Sequence, residues 1–259
     1  MRTILFSIGP LHVYSYGLMI AIGLLASYGL AWKTAEKMHC DRNHLDSILF
    51  TVLISGFLGS KLLYLLTNIP EIMQDPTFIF DSLGSGWVVY GGILGGLLGG
   101  WIYAKKQGLE FLTYFDWAIP CLALAQGFGR IGCFLAGCCY GCETSSWFHV
   151  VFPEGSLAPA GIPLVPTQLM SSVFDFLLCG ILLWMGHKKK WDGQLGAFYL
   201  VAYSFGRFII EFFRGDLIRG SVGALSTSQF ISIFVFVAGV ILMVWKHNQS
   251  IKSGKEEKE

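Results

Sequence analysis

Residues 112–141 read LTYFDWAIPCLALAQGFGRIGCFLAGCCYG, and the fold class turns on them. The first part, 112–128, is an apolar run approaching the roughly 20 residues a helix needs to cross a bilayer. The second part places Arg130, several glycines and three cysteines at the end of that run, where a lipid-embedded helix meets water. A cation at such a boundary can snorkel to the headgroups, but here Gly129 and Gly132 flank it and let backbones and ligands come close. The pattern points to an anion site.

Working outward, comparable apolar stretches occur at 14–32, 47–67, 86–104, 168–185, 193–213 and 227–245. The chain is 54% hydrophobic and 14% charged, with a mean hydropathy of +0.59. A soluble domain carries about 25% charged residues, so most of this chain sits where charge is costly. The expected fold is an all-α integral membrane protein with seven transmembrane helices. Lysines and arginines cluster after the first, third, fifth and seventh stretches, at Lys33, Lys37 and Arg42, at Lys105 and Lys106, at Lys188 to Lys190, and at Lys246, Lys252, Lys255 and Lys258. The opposite loops, 68–85 and 143–166, contain no lysine or arginine. The positive-inside rule then places the N-terminus outside and the C-terminus in the cytoplasm.

Residues 1–245 therefore read as a single seven-helix domain with an extracytoplasmic insert at 141–166. That insert carries Trp147, Phe148 and Phe152, and suits either a lid in the headgroup layer or an ordinary interfacial loop. The segment 246–259 reads as a charged, solvated and frayed cytoplasmic tail. Only Arg2 precedes the first apolar run and no small-residue cleavage site closes it, so no cleaved signal peptide is expected.

Arg2, Lys61, Arg130, Arg207, Arg214 and Arg219 belong to none of the cytoplasmic clusters. Arg207, Glu211 and Arg214 stand at i, i+4 and i+7 and share one helix face. Each charge costs at least about 2.5 kcal/mol in a bilayer core on the most lenient scale, so the stripe should line a polar cavity or neutralise itself. Lys61, Arg130, Arg207 and Arg214 outnumber Glu211 and Asp216. A bound anion would balance the excess, and guanidinium groups suit a phosphate in bidentate geometry. Asp116, near the cytoplasmic start of its helix, is expected to cap it or reach water, while Asp175 has no partner visible in the sequence and is expected to meet a hydroxyl or a cation on a neighbouring helix. The ladder Gly91, Gly92, Gly95, Gly96, Gly99 and Gly100 reads as close helix packing. Tyr90, just before it, is either an interfacial tyrosine or a cavity residue.

Along nearly its whole length the chain resembles the prolipoprotein diacylglyceryl transferases. The resemblance rests on Tyr16-Gly17-Leu18-Met19, Trp87-Val88-Val89-Tyr90-Gly91-Gly92, Gly129-Arg130-Ile131-Gly132, Pro166-Thr167-Gln168-Leu169, Tyr203 to Arg214, and Ser228-Gln229. It implies an enzyme of the bacterial cytoplasmic (inner) membrane whose active site faces outward. Such an enzyme moves the diacylglyceryl group of phosphatidylglycerol to the lipobox cysteine thiol of a preprolipoprotein and releases glycerol phosphate. It implies no cofactor, no metal and no nucleic-acid partner. Carried onto matching positions, it implies Arg130 and Arg207 as a phosphate clamp, with Glu211 as an organiser or base and Tyr90 as a further catalytic position. Tyr16, Lys61, Gly91, Gly92, Gly129, Gly132, Tyr203 and Arg214 would contact the lipid. The chain departs from the common family motif at Tyr90, where histidine is usual, at Lys61, where arginine is expected, and at Cys133 and Cys138, where asparagine and glutamate are usual.

Cys133, Cys138, Cys139 and Cys142 form C-x4-C-C-x2-C. The spacing admits a disulfide, a soft-metal site, a redox relay, or a motif variant in which thiols replace the usual side chains. No histidine lies inside the motif; His149 is seven residues beyond Cys142. Two other readings follow: a related phospholipid-binding membrane protein acting on another acceptor, or a thiol-redox or metal protein built on this cluster. A transporter would require inverted repeats or a polar path through both leaflets, whereas these charges gather toward one side.

Overall fold

The computed structural model describes residues 4–8, 11–216, 220–223 and 225–256. Arg2, Arg219 and Lys258, and the rest of residues 1–3, 9–10, 217–219, 224 and 257–259, lie outside the described residues. The contacts group into two compact units, one formed by Met1–Met38 with Phe115–Glu259 and the other by His39–Tyr114.

The elements follow the apolar pattern. A hairpin of β1 (Ile4–Ile8) and β2 (Leu11–Tyr14) leads into helix α1 (Ser15–Thr34). Then come α2 (Leu45–Thr67), the short α3 (Ile69–Gln74) and α4 (Phe78–Asp81), α5 (Val89–Gln107) and α6 (Phe111–Ala136). Strands β3 (Val150–Val151) and β4 (Pro163–Leu164) precede α7 (Thr167–Gly186) and α8 (Gln194–Glu211). A small hairpin of β5 (Ser221–Val222) and β6 (Leu225–Ser226) leads to α9 (Thr227–Glu256).

Among the described residues, five helical segments are long and apolar enough to cross a membrane: Ser15–Thr34, Arg42–Thr67, Phe111–Ala136, Thr167–Gly186 and Thr227–Gln249. The long helices α5 and α8 are more polar, because α5 is rich in glycine and α8 carries Arg207 and Glu211. Two boundaries differ from the sequence reading. Helix α6 runs on through Arg130 and Cys133 to Ala136 instead of ending near 128, so the start of the motif is helical. Helix α9 continues to Glu256, so most of the expected frayed tail is helical.

In the His39–Tyr114 unit the glycine ladder does what its spacing predicts. A side chain on Gly59 would strike the carbonyl of Gly91 and the Cα of Gly95, the latter at 2.9 Å, and one on Gly91 would strike Gly59. Only glycines let the α2 and α5 backbones lie this close, where van der Waals packing replaces the absent hydrophobic drive. Helix α5 ends on Gly108 at φ +67°, and the Leu109 N–H reaches back to the Ala104 carbonyl at 2.8 Å, closing the helix as a left-handed glycine cap does.

In the other unit, α6 is the hub. The Trp117 indole donates to the Ala31 carbonyl of α1 at 3.0 Å, and the Ser172 hydroxyl of α7 donates to the Gly127 carbonyl at 2.9 Å. Asp116, expected to cap its own helix or reach water, caps α8 instead. Its fully buried carboxylate accepts from the Gly193 N–H at 2.8 Å and the Gly196 N–H at 3.0 Å, with Lys189 at 3.4 Å. The free N–H groups at the start of a helix attract a carboxylate from any direction, and a neighbouring helix supplies this one.

The 141–166 insert is more ordered than a loop. Strands β3 and β4 pair, and isolated bridges join Glu143 to Leu164 and Phe152 to Ala160. Phe152, Ala158 and Leu164 form a small core that packs against Phe134 at the end of α6. Trp147 stays 90% exposed.

Candidate functional site

The site begins where α6 ends. The Gly137 N–H bonds to the Phe134 carbonyl and the Cys138 N–H to the Cys133 carbonyl at 3.1 Å, with Gly137 at φ +79°. Cys139, at φ +62°, then holds a left-handed conformation that costs a non-glycine residue free energy. The first turn of α7 supports this unusual backbone. Thr167 donates to the Cys139 carbonyl at 2.9 Å and Gln168 donates to the Cys138 carbonyl at 2.8 Å. The Gln168 Oε1 is buried with no hydrogen-bond partner.

Beyond the cysteines, the chain is clamped between two other segments. The Gly141 N–H bonds to the Val165 carbonyl at 3.0 Å, the Cys142 N–H to the Phe213 carbonyl at 2.8 Å, and the Gly215 N–H to the Tyr140 carbonyl at 3.2 Å. A side chain on Gly141 would lie 2.7 Å from the Phe213 carbonyl, and one on Gly215 would lie 2.8 Å from the Gly141 carbonyl carbon. This close approach ties the end of the motif to the turn after α8. It also explains why Arg130 and Arg214, distant in sequence, share one site.

Arg130, partly buried on the last turns of α6, makes no direct ion pair among the described residues. Its electrostatic neighbours are Tyr203, Cys133, Cys139 and Asp175. Arg207 on α8 lies 2.7 Å from the Glu211 carboxylate, as an ion pair out of hydrogen-bond alignment, and donates to the Ser228 hydroxyl at 3.1 Å. Glu211 in turn accepts from the Ser226 hydroxyl at 3.0 Å and lies 3.9 Å from Arg214. Arg214 forms a bidentate pair with Asp216 at 2.9 and 2.6 Å. Burial pulls its pKa down, but hydrogen bonding and charge from Asp216, with Cys139 adding to them, outweigh burial and leave it raised.

Asp175, expected to meet a hydroxyl or a cation on a neighbouring helix, meets cations. Buried on α7, it has Arg130 and Arg207 as its charged neighbours. Counting it, Arg130, Arg207 and Arg214 stand with Asp175, Glu211 and Asp216, so of the positive excess inferred from sequence only Lys61, which lies in the His39–Tyr114 unit, is left over. Among the described residues the Arg130 guanidinium has no direct carboxylate bond. Tyr203 stacks on Tyr199 with ring centres 5.3 Å apart, and the Tyr199 hydroxyl donates to Gln126 at 2.6 Å. Tyr16 of α1 packs where a Cβ on Gly132 would come within 3.0 Å of its ring, so Gly132 makes room for it. Gly129 faces open space.

Four expected residues lie in the His39–Tyr114 unit. Lys61 donates to the Ser82 carbonyl and to the Ser85 carbonyl at 3.0 Å, capping the end of α4, with its ammonium 5.0 Å from the centres of the Tyr64 and Trp87 rings. Gly91 packs on Gly59, and Gly92 lies against Gly56 and Ser60. Tyr90 is 44% exposed on the first turn of α5.

Among the described residues, no cysteine is in a disulfide. The fourfold cluster read from sequence resolves into three and one. The Cys133, Cys138 and Cys139 sulfurs all lie within 4.8 Å of one another, while Cys142 is exposed. Sulfur hydrogen bonds with Cys133 and Cys139, together with burial, raise the Cys138 thiol pKa above the ordinary thiol range.

The sequence profile of prolipoprotein diacylglyceryl transferase matches residues 3–245. The chain belongs to the prolipoprotein diacylglyceryl transferase family. It is 49% identical to phosphatidylglycerol–prolipoprotein diacylglyceryl transferase 2 of Clostridium perfringens, covering 93% of this chain and 94% of that one. It is 45% identical to the Clostridium tetani transferase, over 93% and 96%, and 31% identical to that of Finegoldia magna, over 99% and 100%. Phosphatidylglycerol, which stands in those relatives' names, is an anionic phosphodiester.

Proposed function

We propose that this protein transfers the diacylglyceryl group of phosphatidylglycerol to the lipobox cysteine of a preprolipoprotein. The acceptor sulfur attacks the glycerol carbon bonded to the phosphate oxygen. A carbon–sulfur bond forms, the carbon–oxygen bond breaks, and glycerol phosphate leaves carrying the bonding pair while the thiol proton is released. Charge therefore builds on the phosphate as the bond breaks, and donors already aimed at it lower the barrier. The carrying observation is Arg130, partly buried and without a direct ion pair among the described residues, in a charge network with Arg207 through Asp175.

Arg130 and Arg207 form the clamp in this reading. Glu211 fixes the Arg207 guanidinium, Arg214 extends the basic face toward the headgroup, and Tyr16 and Tyr203 hydrogen-bond the lipid, with Gly129 and Gly132 shaping its approach. Tyr90 contributes proton transfer, and Gly91, Gly92 and Lys61 contact the lipid. All seven apolar stretches cross the bacterial inner membrane as one domain, N-terminus outside and C-terminus inside, with the clamp toward the outer leaflet and residues 246–259 in the cytoplasm. The lysine and arginine distribution supports that topology.

Mass spectrometry of a lipobox peptide incubated with purified protein and phosphatidylglycerol vesicles tests the reading. A thioether-linked diacylglyceryl adduct with release of glycerol phosphate is expected. No adduct from folded protein, with the Clostridium perfringens relative active in parallel, overturns it.

A further inference from the structure

We infer that Cys133, Cys138 and Cys139 form a three-thiolate site for a thiophilic closed-shell cation, Zn2+ or Cu+. Their three sulfurs lie mutually within 4.8 Å. A metal about 2.3 Å from each sulfur requires them about 3.8 to 4.0 Å apart, so closing on an ion takes sub-ångström movements. A disulfide would need only two of these thiols and would leave the third unused.

The surrounding structure maintains the arrangement. Cys139 keeps its left-handed backbone at φ +62°, a conformation that only a well-supported loop retains in a non-glycine residue. Thr167 and Gln168 hold the carbonyls on either side of the Cys138–Cys139 peptide at 2.9 and 2.8 Å. Gln168 Oε1 is left buried and unpartnered beside this loop, an acceptor for a water on the open coordination position of the ion. Binding replaces three S–H bonds by three metal–sulfur bonds and releases the protons to water. The product carries net negative charge, minus one with Zn2+ and minus two with Cu+. Arg130 and Arg214 stand beside these sulfurs to balance it. Soft sulfur ligands without histidine or carboxylate select for Cu+ and Zn2+ over harder ions. The absence of a histidine from the motif therefore narrows the choice of ion.

The test uses full-length protein in detergent, reduced and stripped with chelator, then titrated with Zn2+ or Cu+ against a competing chelator and with Co2+ as a spectroscopic probe. One ion per chain is expected, with a sulfur-to-cobalt charge-transfer band. Cys133→Ser, Cys138→Ser and Cys139→Ser should each weaken binding at least tenfold, while Cys142→Ser and Cys40→Ser bind as wild type. Wild-type protein that takes up neither Zn2+ nor Cu+ overturns the site whatever the variants do, and so does equal loss in Cys142→Ser. The Zn2+ and Cu+ arms decide between the two ions. A second measurement rests on the phosphate-clamp reading: metal-loaded wild type should show a higher KM for phosphatidylglycerol than stripped wild type, because the anionic cluster competes for Arg130. Metal uptake with an unchanged KM overturns that coupling and leaves the site standing.

Discussion

Truncating Arg130 or Arg207 removes a donor aimed at a charge that grows only as the lipid carbon–oxygen bond breaks. Arg130→Ala and Arg207→Ala should each lower transfer by about 10²- to 10³-fold, the usual cost of losing one oxyanion donor, with helix content by circular dichroism unchanged. Turnover within threefold of wild type in either variant would remove that residue from the clamp. Asp175 opposes an incoming phosphate, so Asp175→Asn should tighten binding of glycerol phosphate by about tenfold, a difference near 1.4 kcal/mol, measured by calorimetry in detergent. Weaker binding would make Asp175 a support for the arginines instead. At Cys138 the sign follows from the raised thiol pKa. The thiolate forms only above the ordinary range near 8.5, so alkylation of Cys138 in metal-stripped protein should stay slow between pH 8 and 9 and accelerate only at higher pH. Arg130 and Arg207 were legible in the sequence because a guanidinium in an apolar run is conspicuous. Asp175 was legible only as an oddity, since its partners sit on α6 and α8.

At the scale of elements, caps and close crossings hold the site in place. The Asp116 carboxylate satisfies two N–H groups at the start of α8, the helix that carries Arg207 and Glu211. Asp116→Ala leaves both donors and Lys189 without this partner, and unsatisfied buried donors cost about 1 to 3 kcal/mol each. Thermal unfolding in detergent should show a lowered midpoint, together with reduced transfer from a displaced α8; an unchanged midpoint would mean that water replaces the carboxylate. The glycine ladder of α5 could be read directly, because small-residue spacing is a local pattern and its consequence, close packing, is generic. Its partner, the Ser55, Gly56 and Gly59 face of α2, could not. The order in the 141–166 insert was also hidden, because two-residue strands and isolated bridges leave no periodicity to find.

At the scale of the whole molecule the orientation is testable. The exposed Cys142 should react with a membrane-impermeant maleimide in intact cells if the insert is extracytoplasmic, with Cys142→Ser as the control. Labelling only after permeabilisation would reverse the topology. The sequence by itself determined where apolar helices form, on which loops the lysines gather, and that arginines stand at the end of apolar runs. Those properties follow from transfer free energies that each residue carries with it wherever the chain goes. Tertiary structure decided that Asp116 caps α8, that Asp175 has Arg130 and Arg207 as charged neighbours, and that three of the four motif cysteines converge while Cys142 is exposed. The cysteine motif takes its place because two glycines, Gly141 and Gly215, let distant segments touch and because α7 grips the turn after α6. Proximity between residues far apart in sequence is created by packing and is not a property of any one of them.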